Sequence, residues 1–199
     1  MLASVRKAFL TACAAGAMLA SVPAMAQAID EQTLAEPCAG CHGTDGSSVG
    51  SAPTIANLTV DYFVQVMKEY AEGKRASTVM VRIAKGYTEP EFKAMAMYFD
   101  KKSFGRTAQK FDTALVDKGK GLQAKYCENC HEQGGKKSDG IGVLAGQRIE
   151  YLTYSVQDFM SGKRSLDMDK RKKQKMEEMM KDHGEAGFQA VLNFYASQK

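Results

Sequence analysis

Two short runs carry the chemistry of this sequence. Cys38-Ala39-Gly40-Cys41-His42 and Cys127-Glu128-Asn129-Cys130-His131 share the pattern C-x-x-C-H. Two thiols a few residues apart reach the two vinyl groups on one edge of a porphyrin. The adjacent imidazole can then bind the iron, which makes this the attachment pattern of c-type haem. The rival chemistries fit less well. A structural zinc site needs four ligands brought together. A redox dithiol has no use for a following His twice over. Two disulfides, the ordinary choice of an exported protein with four Cys, would not need the His either. Every Cys beyond residue 26, and two of the three His, fall in these runs. Cys38, Cys41, Cys127 and Cys130 are therefore expected to hold two haem c groups covalently, with His42 and His131 as axial iron ligands.

The sixth ligand must be found elsewhere. Around the first motif no spare His is at hand, and Met67, Met80, Met95 and Met97 are the candidates. Met67, Met95 and Met97 fall on expected helices, where Met more often packs a core. Met80 ends the irregular stretch Ala76-Ser77-Thr78-Val79-Met80, after the helix breaker Gly73, so a loop can present its sulfur; Met80 is the expected ligand. Met80 follows His42 by 38 residues, and Met168 follows His131 by 37, whereas Met176 follows it by 45. Met176, Met179 and Met180 share a helical spacing that suits packing, so Met168 is expected on the second iron. Two His/Met irons would have raised potentials and closed coordination, suited to moving electrons rather than binding oxygen. No acid, base and nucleophile cluster stands apart from these ligands, and no catalytic residue is expected. His183, in Lys181-Asp182-His183-Gly184, reads as a surface residue at an exposed helix end.

The elements that must position these residues come in two copies. The motifs are 89 residues apart, and at that offset Ile55-Ala56 meets Leu144-Ala145, Tyr62 meets Tyr151, and Gly73-Lys74-Arg75 meets Gly162-Lys163-Arg164. Nearer the ends the offset becomes 96, aligning Phe92-x-Ala94 with Phe188-x-Ala190, so the second copy carries seven extra residues after Arg164. Each copy reads as helical. Phe63, Val66, Met67 and Tyr70 mark one face of a helix, with Asp61 as its expected N-cap. Thr88-Glu89-Pro90-Glu91 has the capping-box pattern and opens a helix bearing Phe92, Met95, Ala96 and Phe99. Tyr151, Leu152, Ser155 and Phe159, then Phe188, Val191, Leu192 and Tyr195, play the same parts in the second copy. Glycine-rich loops (Gly43, Gly46, Gly50; Gly134, Gly135, Gly140, Gly142) follow each motif. The expected domains are 27–103 and 112–199, joined by the polar linker 104–111.

Arg6 and Lys7, the apolar run from Ala8 to Val22 and the small residues of Ala24-Met25-Ala26 read as a cleavable export signal, residues 1–26. That places the mature chain in the periplasm with no membrane span. At 44% apolar and 25% charged residues, disorder, collagen and long coiled coil are excluded. Residues 27–105 carry 8 bases and 10 acids, and residues 106–199 carry 17 and 13. Nucleic acid is an implausible partner for an exported haem protein. The run Lys170-Arg171-Lys172-Lys173-Gln174-Lys175 suits a solvated helix face, or steering of an acidic redox partner.

The mature chain resembles the two-haem cytochrome subunit of flavocytochrome c sulfide dehydrogenase. The resemblance runs through Cys38 to Thr44, Ala76 to Tyr87, Phe111-Asp112-Thr113-Ala114-Leu115, Lys125 to His131 and Phe194 to Gln198. It implies an all-α fold of two tandem class I cytochrome c-like domains. It also implies a partner flavoprotein subunit that holds FAD and oxidises sulfide, forming a heterodimer with this chain. This chain would be no enzyme by itself; it would pass electrons on to a soluble cytochrome acceptor. Leu144-Ala145-Gly146-Gln147 with Tyr151-Leu152 is also similar to a broader group of two-haem carriers, which would deliver electrons to a terminal oxidase. Pro53 stands where single-haem cytochromes often set a Pro carbonyl near the ligand His, and its counterpart at offset 89 is Gly142.

Overall fold

A computed structural model describes residues 30–137, 142–163 and 170–199. The expected export signal and Met168 lie outside the described residues. Among those described the secondary structure is all helical, with no strand.

In the first copy α1 (Glu31–Ala35) is capped by Asp30, whose carboxylate accepts from the Gln32 and Thr33 amides. Pro37 sits in the 3-10 turn Glu36–Cys38, which separates α1 from α2 (Ala39–His42). α3 (Val60–Ala71) buries Phe63 and Met67, the predicted face. Its N-cap is Thr59, one step before Val60; Asp61 lies inside the first turn, because the chain is still extended at Thr59. α4 (Met80–Ile83) is a single turn. α5 (Glu89–Asp100) begins with the expected capping box, Glu91 accepting from the Thr88 amide at 2.6 Å and its hydroxyl at 2.7 Å. It buries Phe92, Met95, Ala96 and Phe99. Phe99, 2% exposed, contributes about 1.5–3 kcal/mol by leaving water.

The second copy repeats the plan with α6 (Val116–Tyr126), α7 (Glu132–Gly135), α8 (Ile149–Met160) and α9 (Lys170–Ser197). α9 is broken at Gly184, whose φ of 58° and ψ of −160° are open only to glycine. In each copy the first helix packs on the last: α1 on α5, α6 on α9. The two cores are separate. One gathers Phe63, Met67, Phe92, Met95 and Phe99; the other gathers Leu122, Tyr126, Leu152, Met179, Phe188 and Tyr195.

The repeat is written most clearly in the backbone. Gly46 and Gly135 both have positive φ, and each carbonyl accepts two amides: Ile55 and Ala56 in one copy, Leu144 and Ala145 in the other. Asn57 then donates to Phe99 O, and Gly146 to Tyr195 O, each at 2.8 Å. A Cβ at either glycine would lie within 2.8 Å of Phe99 or 2.6 Å of Tyr195, so side chains are excluded where the loop crosses the last helix. No described helix is long and apolar enough to cross a membrane.

Candidate functional site

The first motif is helical. Cys38 closes the 3-10 turn, half-buried; Cys41 lies exposed on α2; His42 ends α2 and is only 8% exposed. Gly43, at φ 77°, turns the chain away. His42 Nδ1 lies 2.7 Å from the carbonyl oxygen of Pro53. A carbonyl can only accept, so Nδ1 carries the proton and Nε2 keeps its lone pair. Burial lowers the imidazole pKa, with the Pro53 bond opposing, so the ring is neutral near pH 7, the state a metal ligand needs.

The second motif is a series of turns. Cys127 caps α6, Cys130 N–H donates to Cys127 O at 3.1 Å and His131 N–H to the same oxygen at 2.9 Å. Cys127, Cys130 and His131 are half-buried. Glu128 ties this loop together, accepting from Gln123 Nε2 at 2.6 Å, Gln133 N–H at 2.8 Å and Gly134 N–H at 3.2 Å. Those donors, Gln123 foremost, hold the Glu128 carboxyl below its usual range. Tyr195 is 2% exposed, beside Cys127.

All four motif cysteines are free thiols. Burial raises Cys38, and it pushes Cys127 up to about 11. Redox dithiols depend on a lowered pKa, so neither thiol is poised for that chemistry. Among the described residues no three His, Cys, Asp or Glu side chains converge as a metal cage. Two thiols and one imidazole at each motif are the donor set that covalent haem requires, and the residues fit that group.

The methionines divide by burial. Met67 and Met95 are 6% and 0% exposed in the first core, and Met97 faces solvent at 37%. Met80 is half-buried and packs against that core. It opens α4 rather than ending an irregular stretch, because Ser77 Oγ accepts from the Val79 and Met80 amides and starts the turn. In the second copy Met179 is 1% exposed in the core, with Met176 and Met180 packed beside it. His183 is not a free surface residue. Its ring packs edge-on against Tyr126, with Nε2 3.4 Å from the Tyr126 hydroxyl, which donates to Asp182 at 2.7 Å.

Several residues emerge only from the structure. Arg75, part of the repeated Gly-Lys-Arg, is buried; its Nε donates to the Tyr70 hydroxyl at 3.2 Å and its Nη1 lies 3.4 Å from Glu69. Burial opposes its charge, but Tyr151, Tyr70 and Tyr62 outweigh this and hold its pKa above the usual value. A buried guanidinium suits a carboxylate, and Glu69 supplies one here. The copies are also stitched together. Gln147 Oε1 accepts from Thr54 N–H at 2.7 Å while its Nε2 donates to Thr54 O at 3.0 Å. Arg148 Nε donates to Gly50 O at 3.1 Å. Gln109, in the linker, donates to Gln147 O and accepts from Ile149 N–H.

The family model described as "Cytochrome c" matches residues 28–106. The cytochrome subunit of sulfide dehydrogenase from Chlorobaculum tepidum is 44% identical over 68 residues, which is 34% of this chain and 62% of that protein. The match therefore spans less than two thirds of that relative's length. Cytochrome c-553 of Nitratidesulfovibrio vulgaris is 35% identical over 97 residues, 46% of this chain and 92% of the relative. In three dimensions the chain is similar to reduced recombinant cytochrome c4 from Pseudomonas stutzeri, with a TM-score of 0.72 at 21% identity, covering 85% of this chain and 97% of that one.

Proposed function

The chain belongs to the cytochrome c family, and from that premise we propose that it is a periplasmic two-haem subunit taking electrons from a sulfide-oxidising FAD protein. It is an electron-transfer cytochrome c. In this reading it forms a heterodimer with the flavoprotein and passes the electrons to a soluble cytochrome. Export by the signal of residues 1–26 brings it to that compartment.

Haem c, when bound, supplies reversible one-electron chemistry at iron. The remaining work belongs to side chains of this chain. Cys38 and Cys41 would hold one haem and Cys127 and Cys130 the other, each by thioether bonds. His42 and His131 would ligate the two irons, with His42 held in one tautomer by Pro53. Met80 and Met168 would supply the remaining protein ligand to each iron. Met176, Met179 and Met180 pack the second core, and Met168 stands one residue short of the repeat position of Met80. Domains 27–103 and 112–199 would each carry one site, with 104–111 between them.

One observation carries the reading: two C-x-x-C-H runs, each followed by the same hydrogen-bonded glycine loop and the same crossing of the last helix. The likeness to the Chlorobaculum tepidum protein supports sulfide as the ultimate donor. Leu144 to Gln147 with Tyr151 and Leu152 favours a second reading, a stand-alone carrier feeding a terminal oxidase. Purification from the native host separates them. A bound FAD protein whose addition lets sulfide reduce this chain supports the first. A lone cytochrome, oxidised by a terminal oxidase and untouched by sulfide with any flavoprotein fraction, removes it.

A further inference from the structure

We infer that Gln147, in the second copy, is a positioning residue for the iron ligand of the first. The inference rests on His42 as a haem ligand. Pro53 C=O and Thr54 N–H are the two ends of one peptide group. The carbonyl end accepts from His42 Nδ1 at 2.7 Å, and the amide end donates to Gln147 Oε1 at 2.7 Å. Hydrogen bonds in series across a peptide polarise one another and strengthen together. Gln147 and Thr54 are 3% and 2% exposed, so water does not compete for the amide. The Gln147 Nε2 bond to Thr54 O fixes the amide's plane against the loop. Gln109 Nε2, donating to the Gln147 carbonyl at 3.0 Å, holds Gln147 in turn.

The consequence for the imidazole has a sign. A more strongly accepting carbonyl draws the Nδ1 proton and makes Nε2 a better donor to a metal. Better donation stabilises the oxidised iron and lowers the potential. Gln147 therefore holds the first haem's potential down from across the interface between the copies. The device runs one way. At the repeat offset of 89, Gln147 corresponds to Leu58 and Thr54 to Val143, and leucine has no amide to return the contact.

The test uses the full two-haem protein and the variant Gln147→Leu, which installs the residue of the repeat. Two quantities are read: the potential of each haem by spectroelectrochemistry, and the exchange rate of the His42 Nδ1 proton by NMR. The expected result is exchange faster by about tenfold and an upward shift of one haem's potential with the other unmoved. Arg148→Ala, which loosens the same interface without touching Thr54, should leave both potentials in place. Unchanged potentials, or equal movement of both, would overturn the inference, whatever happens to thermal stability. If Gln147→Leu does not accumulate, Gln147→Met removes the same amide at similar length and is judged on the same outcomes. Failure of the underlying reading looks different: the unmodified protein would then lack haem at Cys38 and Cys41 by mass.

Discussion

The two copies solve one problem by different means. In the first, the motif is itself helical and His42 leans on a proline carbonyl. In the second, the motif is a chain of turns held by the Glu128 carboxylate, which has Ala39 as its counterpart. The opening helices differ too. α1 has 5 residues and stops at Ala35, before the Pro37 turn, while α6 has 11 and runs straight into Cys127. α6 lies so close to α9 that a Cβ on Gly119 would come within 2.0 Å of Ala190 O. What is kept between them is the glycine loop and its crossing of the last helix. The site is thus defined by a backbone path, and the side chains that support the path are free to differ.

The strongest test of that independence removes one site at a time. Replacing Cys38 and Cys41 by Ala should leave a protein with one haem, and replacing Cys127 and Cys130 should do the same. Mass spectrometry of denatured protein counts them, and loss of both haems from either variant would show that the copies cannot mature separately. Next in size are the proposed iron ligands. Met80→Leu and Met168→Leu should each remove the sulfur-to-iron charge-transfer band of one haem and lower its potential. If Met176→Leu does so instead of Met168→Leu, the repeat register after Arg164 is wrong.

The shared loop comes third. Gly46→Ala and Gly135→Ala each force a side chain into a positive φ and against Phe99 or Tyr195. Each should cost about 2–4 kcal/mol in denaturant titrations, and markedly unequal costs would argue that the two crossings are not equivalent. The smallest effect belongs to a feature of one copy only. Thr88→Ala weakens the start of α5 and should cost about 1 kcal/mol, with hydrogen exchange quickening in α5 and unchanged in α9.

Much of this was legible in the sequence because it is local. The spacing of Phe63 and Met67 marks α3, and Thr88 to Glu91 marks the start of α5. The motifs and the 89-residue offset announce the two units. Asp61 misled, since an acid inside a first turn and an acid before it look alike without the backbone. His183 reads as exposed because nothing near it in sequence shows Tyr126, 57 residues away. Gln147 and Thr54 are 93 apart, and Gln147 could be quoted as part of a motif without any sign of its partner. Arg75 likewise reads as a surface base, since nothing in the sequence shows that it is buried against the Tyr70 ring.

The packing of each first helix on its own last helix has a consequence in time. Residues 31–100 contain both elements that close the first core, α1 and α5. A chain made N-terminus first can therefore complete that core before residue 147 has been added. Until then the Thr54 amide has only water to donate to. The last bond of the first site is thus a late arrival, made when the second unit docks. The order of assembly runs opposite to the direction in which Gln147 exerts its influence.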